Sequence, residues 1–233
     1  MREVVATARS RDTLCNIFLP MQKNFFLFLI LISANSYCQI TTEFYVEGIN
    51  DIKYLTLNFC VDNLGKTSDV KIIAEKTTLQ DSAVVSQIVE YRKGIEYYSD
   101  TKLKNNCYDQ TFSFINKEFE NCSIAENDFN KLEIFKAGIY NYYDIRYKNT
   151  VITRSDNIQI EETNGEVYKY KIEWTRPNQY ILTYLEVGNK EDEYLLGEKI
   201  FVDIIKQIDS ETYVYKSNLL NRTIIIGIIS KVN

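Results

Sequence analysis

From Leu55 onward apolar and polar positions alternate. Leu55, Leu57, Phe59 and Val61 fall on one side, with Thr56, Asn58, Cys60 and Asp62 between them. That period of two is the pattern of a half-buried strand. Asp62-Asn63-Leu64-Gly65 supplies turn chemistry, with Gly65 free to take positive φ. Val70, Ile72 and Ala74 resume the alternation, so residues 55–74 predict a β-hairpin. The period then changes. Val84, Val85, Ile88 and Tyr91 form a stripe at helical spacing. Thr78 and Asp81 have the spacing of a capping box at its start, and Arg92, Lys93 and Gly94 mark its end. Phe112 and Phe114, flanking Ser113, predict a third strand.

The order ββαβ constrains topology. If the first strand runs up, the second runs down and the helix returns up. The third strand then runs down and pairs antiparallel with the first. The expected sheet order is 2-1-3, with the helix over one face. Its exposed edges would be Val70–Glu75 and Phe112–Asn116. Lys71 and Glu75 guard the former against pairing. Phe112, Ser113, Phe114 and Ile115 leave the latter the expected edge for a partner strand.

Beyond Gly138 strand follows strand. Apolar segments begin at Ile139, Val151 and Ile158, and Asn164-Gly165 gives a hairpin signal. Tyr168, Tyr170, Ile172 and Trp174 alternate with lysines and Glu173, and Arg176-Pro177-Asn178 turns the chain into Tyr180–Leu185. Ile200, Val202 and Ile204, then Tyr213-Val214-Tyr215, then Ile224–Ile229 complete the series. Closely spaced strands without crossover helices predict an antiparallel meander, and about eight of them suffice to close a small barrel. The fold class is therefore α+β: a ββαβ domain over residues 41–122 and an all-β meander or small barrel over 125–233. The polar stretch between them, near 120–130, is the expected domain junction.

The N-terminal pattern is of another kind. Lys23 precedes the apolar run Phe25–Ile32, followed by Ser33–Gln39 with its small residues. This is the plan of a secretory signal peptide. The run is too short for a span, which needs about 20 apolar residues. Ser36 and Cys38 fit the −3 and −1 sites, so cleavage is expected between Cys38 and Gln39, with cleavage after Ser36 as the alternative. Met21 begins a compact signal by itself, which makes residues 1–20 an overextended start. The expected location is the periplasm or the periphery of the outer membrane. An uncleaved anchor at residues 25–34 in the inner membrane is the alternative.

Composition narrows function mainly by exclusion. The chain carries 18 Tyr and 12 Phe but no His. Without histidine there is no Ser-His-Asp or Cys-His catalysis and no His-ligated zinc. The formal charge is −5, and residues 1–38 hold four basic and two acidic residues, so the remainder stands at −7. No basic stripe remains for nucleic acid. No catalytic, metal or cofactor constellation is apparent.

Three cysteines follow the signal: Cys60, Cys107 and Cys122. Cys60 lies near the top of the first strand and Cys107 just before the top of the third, so a bridge between them and three separate thiols both stand. Glu161-Glu162 and Glu191-Asp192-Glu193 are expected to be solvated loop charge. Trp174, Tyr168, Tyr170, Tyr180 and Tyr184 are expected to be sheet packing, with a ligand-lining role as the alternative.

The run Leu57–Ile72, with its Asp62-Asn63-Leu64-Gly65-Lys66 turn, resembles the TonB C-terminal domain family over roughly 70 residues. The resemblance implies a sheet whose edge pairs with an extended peptide. With Pro177 the only proline beyond residue 38, it implies a solitary interaction module without a Pro-rich spacer. The second half resembles a family of small uncharacterised secreted β-proteins of Gram-negative bacteria. The residues that carry this are Phe135-Lys136-Ala137-Gly138, Arg154–Gln159, Trp174 with Tyr180, and Gly197-Glu198-Lys199; the likeness to calycins is in general shape. Two functions are expected. One is a non-catalytic envelope protein that binds a protein partner by strand addition. The other is a carrier of a small apolar ligand inside the barrel.

Overall fold

The computed structural model describes residues 7–8, 40–98, 100–155, 157–219 and 223–232. The expected signal segment 1–38 and the expected cleavage site at Cys38 and Gln39 lie outside the described residues, apart from Thr7–Ala8. The chain forms a mixed sheet carrying one helix and a separate closed barrel of eight antiparallel strands.

In the sheet, β1 is the two-residue Thr7–Ala8, β2 is Ile40–Val46, β3 is Ile52–Val61 and β4 is Thr67–Ile72. Helix α1 spans Ser82–Lys93 and β5 spans Asn106–Asn116. The order is β1-β2-β5-β3-β4. The hairpin turns where Gly65 takes φ +87° and Asp62 accepts from the Leu64 and Lys66 amides. A Cβ on Gly65 would also lie 2.7 Å from the Tyr97 carbonyl oxygen, so the turn demands glycine twice over.

The helix begins three residues later than its sequence pattern predicts. Asp81, not Thr78, is the cap and accepts from the Ala83 and Val84 amides. Thr78 is used elsewhere: its hydroxyl accepts from the Tyr54 amide and its own amide donates to the Tyr54 carbonyl.

One expectation is overturned. The edge at Phe112, Ser113, Phe114 and Ile115 is interior, because β2 runs parallel along it with Thr42 opposite Phe112 and Tyr45 opposite Ile115. On its other side β5 pairs antiparallel with β3. The physical reason lies in residues 40–46, which the sequence argument left out. Phe44 and Val46 alternate with Tyr45 and extend the apolar face of β5, stacking Phe44 on Phe112 and Phe114 at centroid distances of 6.3 and 5.4 Å. A long apolar edge is a liability that proteins cover, and here the chain covers its own.

The barrel strands are β6 (Gly138–Tyr142), β7 (Val151–Ser155), β8 (Ile158–Thr163), β9 (Glu166–Arg176), β10 (Gln179–Glu186), β11 (Lys199–Gln207), β12 (Thr212–Leu219) and β13 (Thr223–Val232). Each pairs with the next, and β13 closes on β6. Alternation sends Tyr140, Ile152, Ile172, Leu182, Val202, Tyr213 and Ile229 into the bore, where they pack together fully buried. Opposite Tyr215 on β12 stands Gly227. A Cβ there would meet the Tyr215 ring at 2.5–2.7 Å, so this glycine lets the ring lie flat against the wall.

Sheet and barrel share a core. Leu55, Leu57, Phe112 and Phe114 face α1. The opposite face presents Ile52, Tyr54 and Ile115 to Ile205, Val214, Ile226 and Ile228 on the outside of β11–β13. Burying each such aliphatic side chain contributes about 1.5–3 kcal/mol. Polar ties surround this core. The Tyr143 hydroxyl donates to Asp51 at 2.6 Å, Lys206 pairs with Glu118 at 2.8 Å, and Lys216 donates to the Glu120 carbonyl at 2.7 Å. The chain crosses from β5 to β6 through turns that hold Phe119 buried and Cys122 half-buried against this interface.

Candidate functional site at the open end of the barrel

The two ends of the bore differ. At the end where β6 begins, the 3-10 segment Glu126–Phe135 inserts fully buried Leu132 and Phe135. Just beneath it lies Arg154 of β7, 2 % exposed. Four hydrogen bonds hold its guanidinium. Nε donates to Gln159 Oε1 at 2.6 Å, Nη1 to the Tyr213 hydroxyl at 2.7 Å and to the Phe135 carbonyl at 3.3 Å, and Nη2 to the Tyr180 hydroxyl at 2.9 Å. The rings of Tyr140, Tyr180 and Tyr213 face it at 4.9, 4.9 and 5.8 Å. Every acceptor in this set is neutral, so Arg154 stays charged through hydrogen bonds and ring quadrupoles. Its role here is to fasten the plug to three strands.

The opposite end is less enclosed. Tyr142, Glu161, Tyr168, Ile200 and Tyr215 alternate with outward-facing neighbours and point into the bore, yet each is only half-buried. Glu161 sits among the hydroxyls. It accepts from Tyr142 at 3.0 Å and from Gln159 Nε2 at 2.6 Å, both on Oε1. Gln159 thus links the carboxyl to Arg154 through its two amide atoms. Burial pushes the Glu161 carboxyl above the usual Glu range against the pull of Tyr142, Gln159 and Arg154. Tyr142 and Tyr170 are pushed up too, first by burial and then by the Glu161 charge.

A connection crosses part of this mouth. Asn189 caps the 3-10 turn Lys190–Leu195 by accepting from the Asp192 amide. The Tyr168 hydroxyl donates to Asp192 at 2.6 Å, and Asn189 Nδ2 donates to both the hydroxyl and the carboxylate. Leu195 drops into the bore from above.

These positions revise the reading of the acidic pairs. Glu161 is not solvated loop charge but an inward residue of β8, on the same face as Gln159. Asp192 is a half-buried acceptor that anchors the connection. The spacing of Gln159 and Glu161 was the available signal, since period two puts both on one face. Tyr170, Tyr180 and Tyr184 are core, while Tyr168 and Trp174 are half-buried at opposite ends. In the sheet, Cys60 and Cys107 are direct cross-strand partners and form a disulfide, leaving Cys122 as a free thiol. Burial raises the Cys122 thiol above its ordinary range, which lowers its reactivity.

Comparison with family models, curated proteins and solved structures gives no match.

The Glu161 environment has a pH consequence. Its folded-state value lies above the unfolded one, so the neutral carboxyl favours folding. That contribution is complete below about pH 4.3, the unfolded Glu value, and is lost as pH rises through the higher folded value. Glu161→Gln should therefore stabilise the protein more at pH 8 than at pH 4.5. Urea midpoints of both proteins at the two pH values check this. A larger benefit at pH 4.5, or none at either, contradicts it.

Proposed function

We propose that the protein is a non-catalytic component of the cell envelope that holds a small ligand in the open end of its barrel. The observation that carries this reading is the contrast between the ends: the bore around Arg154 is filled, whereas inward-pointing Tyr142, Glu161, Tyr168 and Tyr215 keep accessible surface. A concave site with a few polar groups set in aromatic walls is the usual form of a small-molecule site. Native mass spectrometry of protein recovered from the periplasm tests it. A small-molecule adduct is expected on the parent chain and should vanish in Ile200→Trp, which fills the mouth. A bare chain in both would overturn the reading. Edman sequencing of the same sample should begin at Gln39.

The helix-covered sheet supports a second role, the binding of a protein partner expected from the TonB-like hairpin. The relevant edge is the outer side of β2, where Thr7–Ala8 pairs with Phe44 and Tyr45. Removal of residues 1–38 on export would free this edge for strand addition.

A further inference from the structure

We propose that the open end of the barrel selects a small organic cation, a substituted ammonium compound, through Glu161 and the tyrosines around it. This rests on the ligand-binding reading above and names its ligand class.

The argument starts from what the mouth offers. It holds an inward carboxyl, Glu161, beside the half-buried rings of Tyr142 and Tyr215, with buried Tyr170 and Tyr184 deeper in the bore, all near enough to feel that carboxyl's charge. Tyr170 and Tyr184 pack with ring centroids 4.7 Å apart, and Tyr215 is laid against the wall by Gly227. Carboxylate and aromatic faces together recognise ammonium groups, because ring quadrupoles and full negative charge attract the same weakly hydrated cation. An anion would meet the reverse. Among the described residues the cation inside the bore is Arg154, which is 2 % exposed, sits on the far side of Gln159, and commits four donors to neutral acceptors.

The rim agrees in sign. Glu166, Glu186, Glu191, Asp192, Glu193 and Glu198 lie on the strand ends and connection at this mouth, against Lys148, Lys169, Lys190 and Lys199 among the described residues, with Lys169 paired to Glu186 and Arg146 paired to Asp144. A cleft edged by one sign of charge raises the local concentration of the opposite ion. A purely apolar ligand would add nothing to the hydrogen bonds that Glu161 accepts from Tyr142 and Gln159, whereas a cation would add a charge partner.

Calorimetric titration of the purified protein with three compounds of one shape separates the possibilities: choline, neutral 3,3-dimethylbutan-1-ol and anionic 3,3-dimethylbutanoate. Choline should bind at least about tenfold more tightly than the alcohol, and the anion should not bind. Choline affinity should rise from pH 5 to pH 8 in the parent protein and fall about tenfold or more, without pH dependence, in Glu161→Gln. Far-ultraviolet circular dichroism confirms that the variant is folded. If alcohol and choline bind equally, the mouth is a ligand site but the cation inference is wrong. If the anion binds best, the sign is wrong. If none binds the parent protein at millimolar concentration, the cation inference fails, while the adduct test above still decides the ligand-binding reading.

Discussion

Replacing Arg154 by methionine should destabilise the protein by about 3–5 kcal/mol. The side chain is fully enclosed and its four hydrogen bonds run to Gln159, Tyr213, Tyr180 and the Phe135 carbonyl. Methionine would fill much of the space and restore none of the donors. Tyr180 and Tyr213 can turn to each other, their hydroxyls being 3.3 Å apart. Gln159 Oε1 and the Phe135 carbonyl cannot. Each buried acceptor left unmet costs about 1–3 kcal/mol, and the plug that Arg154 ties down would loosen as well. Arg154→Lys keeps the charge but offers a single head to acceptors arranged around a planar fork, so it should fall between parent and methionine variant. Guanidinium unfolding followed by fluorescence of Trp174, the only tryptophan, measures this in the barrel itself. A methionine variant within about 1 kcal/mol of the parent would show that the bore does not depend on this cation.

How much of this was legible in the sequence depends on how local the signal is. The hairpin Leu55–Ile72 was legible because alternation, turn chemistry and glycine all lie within twenty consecutive residues. The same holds for the barrel strands, whose pairing is to sequence neighbours throughout, save the closure of β13 on β6. Strand β2 was missed because its partner, β5, lies far along the chain and pairs in parallel, leaving no turn to mark it. The plug Glu126–Phe135 was missed for a different reason: it forms 3-10 turns, whose three-residue repeat brings Phe129, Leu132 and Phe135 to one side in a segment that reads as polar. At the site, period two already placed Ile152 with Arg154 and Gln159 with Glu161. The bias that polar residues face water hid the consequence. A barrel bore is the place where that bias fails, because one charged group can be satisfied by its own walls.

Loss of the Cys60–Cys107 disulfide should destabilise the protein by about 4 kcal/mol on the chain-entropy account. The bond closes a loop with a sequence separation of 47, and removing it returns that loop's freedom to the unfolded chain. Little rearrangement is needed in the folded state, because Cys60 and Cys107 are already opposite each other in the β3–β5 ladder. The comparison is best made between Cys60→Ser/Cys107→Ser and the parent, both carrying Cys122→Ser so that the free thiol cannot exchange. The effect should reach beyond the sheet. Ile52, Tyr54 and Ile115 share a buried core with Val214, Ile226 and Ile228 of the barrel, so loosening β3 and β5 removes support from β12 and β13. Trp174, on the barrel wall away from that interface, should therefore report the same lowered midpoint as far-ultraviolet circular dichroism, the signature of one cooperative unit. A shift below about 1 kcal/mol would show the bridge to be energetically idle. A shift in circular dichroism with the Trp174 transition unmoved would show that the sheet unfolds alone and that the shared core is too weak to couple the two parts.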